Sequence, residues 1–200
     1  MNTENKLLWE LVDLIEKYSS VYRGSYLPSR TSQLVTEPGS KILRESDAEH
    51  VGLLPVTAAF IYPHLENKVD LGKVLTMLAI HDIGETVVGD VLTVKQPKTE
   101  NQRTDEQKAA LSVLDPYYHD LFIEFEEQET LESKCAHSVD KMTAHFYEFI
   151  IDKKVAQDRH AFFGFDIVKG VEKDKPRMEW DGFVKRFYDE ICLEIRKRFT

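Results

Sequence analysis

The chain has 200 residues, 42% of them hydrophobic, with 35 acidic residues against 26 basic and a formal net charge of −9. That length and apolar content suffice to bury one substantial core, and the acidity argues against the broad basic footprint that a nucleic-acid polymer requires. No stretch approaches the ~18 uncharged apolar residues of a membrane span, and "MNTENKLLWELVDLIEKY" lacks the basic-then-apolar order of an export signal, so a soluble cytoplasmic protein without a membrane partner is expected.

Apolar residues recur at spacings of three and four almost throughout, which predicts an all-α protein. Leu7, Leu8, Leu11, Leu14 and Ile15 place a first helix over residues 4–18. "SSVYRGSYLPSRTSQLVTEPGS" then reads as a long irregular connection, rich in glycine, proline and hydroxyl residues. A second helix is expected from Ser46, with Glu49 as its capping-box partner, to about Tyr62, kinked or broken at Pro55. The third begins near Asp70, carries Leu71, Val74, Leu75, Leu78 and Ala79 toward His81, and has Gly84 as its expected stop. After the loop "TVKQPKTENQ", the segments "RTDEQKAALSVL" and "PYYHDLFIEFEEQ" read as short helices, the latter with Pro116 in its first turn. Residues 129–154 form the longest candidate, with Cys135, Val139, Met142, Phe146 and Ile150 on one face. A final helix spans Asp181–Phe199, where Phe183, Phe187, Ile191 and Ile195 recur every four residues. There is no internal repeat, and the two cysteines, Cys135 and Cys192, have no paired spacing and read as core thiols of a reducing compartment.

A metal held by a helical bundle needs inward-facing ligands from different helices, and three places beside apolar stripes qualify. They are His50 early in the second helix, His81–Asp82 at the end of the third, and Asp140 within the longest. An aspartate among Ala136, Val139, Thr143 and Ala144 is disfavoured by helix propensity and by burial unless a cation pairs with it. Two imidazoles and two carboxylates suit a catalytic divalent ion with open positions, namely manganese, cobalt, nickel, iron or magnesium, better than a closed zinc site. A lone His-Asp pair at a helix end can equally be a dipole-complementing terminus. His64, His119, His137, His145 and His160 read as surface or internally satisfied groups, with His137 lying three residues before Asp140 and near the same face.

Taken in order, "RESDAEH" with His50, "LAIHDIGE" with His81, Asp82 and Glu85, "GDV" with Asp90 and "SVDKM" with Asp140 and Lys141 resemble the HD-domain superfamily of metal-dependent phosphohydrolases. Among its members the chain looks most similar to bacterial 5′-deoxynucleotidases and their HD-domain-containing relatives. The resemblance implies an HD-domain helical bundle in a single domain over residues 1–200, with the HD core over about 40–155 and flanking helices at both ends. It implies His50, His81, Asp82 and Asp140 as metal ligands, Glu85 in proton transfer, and Asp90 as the group that positions the attacking water. A small phosphorylated substrate, a nucleotide by analogy, would be gripped by Arg44, with Lys95 and Lys98 as further candidates, because guanidinium and ammonium groups neutralise phosphate. The implied reaction is hydrolysis of nucleoside 5′-monophosphates by a metal-activated water, in a homodimer. The deoxynucleotidases also carry an arginine-tryptophan pair upstream of the first histidine. Here Arg23, Arg30 and Arg44 are followed by Gly24, Thr31 and Glu45, so the deoxyribose preference does not carry over with the reaction class. Other phosphorylated metabolites, a phosphodiester, a nucleoside triphosphate, a non-catalytic binding role and a two-histidine, one-carboxylate iron oxygenase remain alternatives.

Overall fold

A computed structural model describes residues 3–26, 44–90 and 99–200. They form α1 (Thr3–Ser20), the strands β1 (Tyr22–Tyr26) and β2 (Arg44–Ser46), then α2 (Asp47–Ile61), α3 (Leu71–Ile80), α4 (Glu85–Val88), α5 (Glu100–Val113) and α6 (His119–Glu127). There follow α7 (Leu131–Ile150), α8 (Lys153–Phe163), α9 (Ile167–Asp174) and α10 (Gly182–Phe199), with single 3-10 turns at Tyr62–His64, Pro116–Tyr118 and Lys175–Met178. The all-α class expected from the periodicity holds. No described helix is long and apolar enough to cross a membrane.

The main core joins α2, α3, α7, α9 and α10 through fully buried Leu54, Val74, Leu78, Val139, Met142, Val171 and Ile195. A smaller cluster of Ile83, Ala110, Leu114 and Phe122 lies under α5 and is flanked by Leu14 and Tyr18 of α1. Capping chemistry sets most boundaries. Ser46 accepts from the Glu49 N–H while the Glu49 carboxylate accepts from the Ser46 N–H, the expected capping box. Asp181 caps α10 through the N–H groups of Phe183 and Val184, and the same side chain accepts from the Glu66 and Asn67 N–H groups, tying the loop before α3 to the last helix.

Several expectations are corrected. The connection after α1 is not wholly irregular, because β1 pairs antiparallel with β2, Tyr22 opposite Ser46 and Tyr26 opposite Arg44, across a bulge. Pro55 does not interrupt α2, which runs unbroken from Asp47 to Ile61. Gly84 is not a left-handed stop: its φ is −62°, and α4 begins directly after it. Its missing side chain serves an approach instead, since a Cβ there would stand 2.5 Å from the Glu106 carbonyl oxygen of α5. α5 starts earlier than "RTDEQ", because Thr99 and Gln102 form a second capping box. The longest helix ends at Ile150, which is 62% exposed rather than part of the apolar face, and Asp152 caps a new helix by accepting from Lys154 and Val155. α8 and α9, between residues 153 and 174, had no counterpart in the sequence reading.

Two histidines are buried as neutral rings. Burial lowers the His137 pKa to about 4, and burial together with the Arg159 guanidinium lowers that of His160 to about 4. The unfolded chain therefore takes up protons below about 6.5 that the folded chain refuses until about 4. Stability is expected to be complete above pH 6.5 and to fall as the pH drops toward 4, by ~2 kcal/mol after allowance for the partial exposure of both rings, or about 5 °C in melting temperature. Calorimetric scans across this range check the slope, and His137→Gln should flatten it; a pH-independent melting temperature from 7 to 4 contradicts the assignment.

Candidate metal centre

Three helices bring the four predicted ligands together. His50 comes from the first turn of α2, 1% exposed, and Asp140 from the middle of α7, 5% exposed. His81 and Asp82 come from the turn in which α3 ends before α4. His50 Nε2 lies 3.1 Å from Asp140 Oδ1 and 3.9 Å from Asp82 Oδ2, while His81 Nε2 lies 3.1 Å from Asp82 Oδ2 and 4.0 Å from Asp140 Oδ1. One donor atom from each of His50, His81 and Asp82 falls within 4.8 Å of the others, a spacing a single cation could bridge. The Asp140 oxygen extends that set toward both imidazoles.

Groups behind the cluster face His81, His50 and Asp140. His81 Nδ1 lies 2.9 Å from the Leu78 carbonyl oxygen. A carbonyl only accepts, so the ring hydrogen sits on Nδ1 and the Nε2 lone pair faces Asp82 and Asp140, the tautomer metal binding needs. His50 Nδ1 faces Glu45 Oε1 at 3.8 Å, and the Tyr147 hydroxyl donates to that same oxygen. Lys141 Nζ holds Asp140 Oδ2 at 2.9 Å, leaving Oδ1 to the histidines. Burial alone would raise the Asp140 pKa. The Lys141 ammonium, the His50 hydrogen bond and the two imidazoles outweigh it and hold the carboxyl well below the usual range, so Asp140 is a carboxylate.

Glu85 opens α4 three residues beyond Asp82 and is buried; it, Asp82 and Asp47, the fully buried first residue of α2, act electrostatically on the Tyr18 hydroxyl. Burial, then these three carboxylates, push the Tyr18 pKa upward, so the phenol keeps its proton. Tyr18 Oη makes no hydrogen bond among the described residues. Asp90 follows Gly89, whose φ is 78°, and is half-buried, with no contact among the described residues that draws it into the ligand cluster. The backbone of Arg44 opens β2, one residue before Glu45. Its side chain, like Lys95 and Lys98 entirely, lies outside the described residues. Glu45, Asp47, Tyr18 and Tyr147 did not emerge from the sequence. Glu45 and Asp47 lie within "RESDAEH", where the alternation of acids with an expected helix start was legible as capping and not as a second layer behind His50.

Four of the five other histidines meet polar partners away from the cluster. His119 Nε2 lies 3.1 Å from the Leu114 carbonyl oxygen and His137 Nε2 2.9 Å from that of Phe125. His160 pairs with Glu148 at 3.0 Å, and His145 with Asp174 at 3.4 Å.

Comparison with known proteins gives the following. A family described as the HD domain matches residues 30–180. A crystal structure from Magnetospirillum magnetotacticum, described as a predicted metal-dependent phosphohydrolase, superposes with a TM-score of 0.75 at 22% identity, covering 96% of this chain and 94% of that one. A conserved hypothetical protein from Pyrococcus furiosus superposes at 0.62 with 24% identity over 93% and 99%. A Pyrococcus horikoshii protein does so at 0.61 with 18% identity over 96% and 99%. At these identities the structures share the fold. No curated protein sequence matches.

If the carboxylate behind His50 tunes a metal ligand, Glu45→Gln should weaken cobalt or manganese binding by about 10–100-fold while leaving the helical circular dichroism unchanged. Titration calorimetry on the chelator-treated protein measures this, and wild-type affinity in a folded Glu45→Gln variant rules the arrangement out.

Proposed function

The chain belongs to the HD domain family, and on that premise we propose that it is a divalent-metal-dependent phosphohydrolase that releases phosphate from nucleoside 5′-monophosphates. The observation that carries this reading is the cluster of His50, His81, Asp82 and Asp140, with His81 and Asp140 held from behind, in a buried position that three helices enclose. These residues fit a divalent ion in donor type, His81 also in tautomer, and they would hold it. When bound, such an ion supplies Lewis acidity for the phosphoryl group and for the water that attacks it.

The chain's own groups account for the remaining requirements. Asp140 and Asp82 bring negative charge to the cation, and Lys141 removes one Asp140 oxygen from competition for it. Glu85, a buried carboxylate three residues beyond Asp82, would accept the proton of the attacking water, and Asp90 is the proposed positioning group after α4. The Tyr18 phenol, kept protonated, adds no negative charge near these carboxylates. Arg44, with Lys95 and Lys98, would neutralise the substrate phosphate. A two-metal phosphodiesterase is less consistent with the site, because the Nε2 atoms of His119 and His137 are engaged by backbone carbonyls. Two carboxylates in the ligand ring, with Glu85 adjacent, favour hydrolysis over oxygen activation.

We also propose a homodimer. α2 turns Leu53, Val56 and Phe60 outward, with Phe60 77% exposed, and their spacing makes one apolar stripe.

Two outcomes follow. Phosphate release from nucleoside monophosphates with manganese or cobalt should fall by at least about 10³-fold in Asp82→Ala, the scale of losing metal activation of water; undiminished turnover in that variant refutes the site. Sedimentation velocity should show a dimer that Phe60→Asp converts to a monomer, and a monomeric wild-type chain at micromolar concentration overturns the assembly.

A further inference from the structure

A cavity of about 260 Å³ lies where the end of α6, α7 and the turn before α10 meet, lined by Gln128, Lys134, His137, Pro176, Arg177 and Trp180. Its lining runs against the character of the chain. No carboxylate borders it although the net charge is −9, and neither Lys134 nor Arg177 forms an ion pair among the described residues. Asp174, the acid on which Arg177 acts across space, is engaged by His145 at 3.4 Å. Lys134 is half-buried and Arg177 exposed at the rim, so an anion entering the cavity meets two positive charges and no negative one on its lining.

The other walls are fixed in place. The Trp180 indole N–H donates to Ser138 Oγ at 2.9 Å, which locks the ring as a flat side. His137 stacks on Phe125 at 3.9 Å between centroids and gives its Nε2 hydrogen to the Phe125 carbonyl, so Nδ1 is left as an acceptor. Gln128 ends α6 at a φ of 56°, the left-handed region that glycine adopts at lower cost. That conformation closes the helix in the usual way and leaves the Gln128 side chain on the cavity lining.

We propose that this cavity binds a small phosphate-bearing anion, with Lys134 and Arg177 as its cationic contacts, Gln128 as an amide donor and Trp180 as the rigid wall. The site is separate from the metal centre, because the buried Phe125 ring stands between them, edge-on to His81 at 5.5 Å and face-on to His137. Its volume, below the roughly 300 Å³ at which pockets for drug-sized ligands begin, suits a phosphate on a short body and not a polymer.

The test uses Trp9→Phe, which removes the exposed one of the two tryptophans and leaves Trp180 as the reporter. The full chain, freed of metal by chelation, is titrated with inorganic phosphate at constant ionic strength by fluorescence and calorimetry. Saturable binding tighter than about 10 mM is expected, weakened about tenfold or more by Lys134→Ala or Arg177→Ala and unchanged by Asp82→Ala. The site is overturned by any of four results: no heat and no fluorescence change, a response that sodium chloride reproduces, binding that persists in both cavity variants, or binding that disappears in Asp82→Ala. The readout is independent of turnover, so failure of the phosphohydrolase reading leaves this test intact.

Discussion

Five carboxylates buried at the meeting of α2, α3, α4 and α7 are the constraint that shapes this protein. Glu45, Asp47, Asp82, Glu85 and Asp140 are all under a tenth exposed. An unpaired buried carboxylate is unfavourable enough that such a group normally protonates. Asp140 does the opposite, staying ionised with Lys141 on one oxygen and His50 and His81 facing the other. The two oxygens of one carboxylate are thereby given different work, Oδ2 to a structural ion pair and Oδ1 to the centre. A divalent cation would complete the compensation that one lysine and two imidazoles only begin, and this is the physical reason to read the cluster as a metal site and not as a polar core.

The packing around the cluster follows from that demand. α7 must bring Asp140 against α2 without a bulky side chain between them, and it does so where Ala136 is fully buried and Thr143 donates its hydroxyl to the Val139 carbonyl one turn back. Thr143 also meets Thr57 of α2 at 2.8 Å, which sets the relative depth of the two helices. On the other side, Gly84 lets α5 pack directly on the turn that carries His81 and Asp82. The strand pair fixes Glu45 behind His50, since β2 ends where the Ser46 cap begins and the Asp47 N–H donates to the Val21 carbonyl at 3.1 Å.

Sequence periodicity and caps made the helices legible wherever a residue had a local job. Ser46, Asp70 and Asp181 each mark a helix start through a side chain that bonds within three residues. The ligand quartet was legible as an ordered set, since each member sits beside an apolar stripe. What was not legible had its cause at a distance. Glu45 acquires meaning only from Tyr147, 102 residues away, and Tyr18 only from Asp47, Asp82 and Glu85. α8 and α9 escaped notice because their apolar positions are few, and their burial relies on α10: Val171 gives its carbonyl to the Tyr188 hydroxyl. Ile150 misled for the complementary reason, as a residue that fits a helical stripe while the helix ends at that position and turns it outward.

Acidity over the whole surface and an anionic substrate pull against each other, and the fold resolves the conflict locally. Most described basic side chains in the C-terminal half are spoken for: Lys175 by Glu172 and Asp189, Arg196 by Glu172, Lys197 by Glu194, Arg159 by Glu148. Those pairs leave the basic groups little field of their own, and salt screens what remains beyond a Debye length of about 8 Å. Attraction for a phosphate must then arise within a few ångströms of where it binds, from a cation held by the carboxylate ring, or from the few basic groups left outside ion pairs. Long-range steering would draw any polyanion. Short-range charge inside walls admits only an anion small enough to reach it, so the excess of acid on the surface acts as a filter on what the interior can receive.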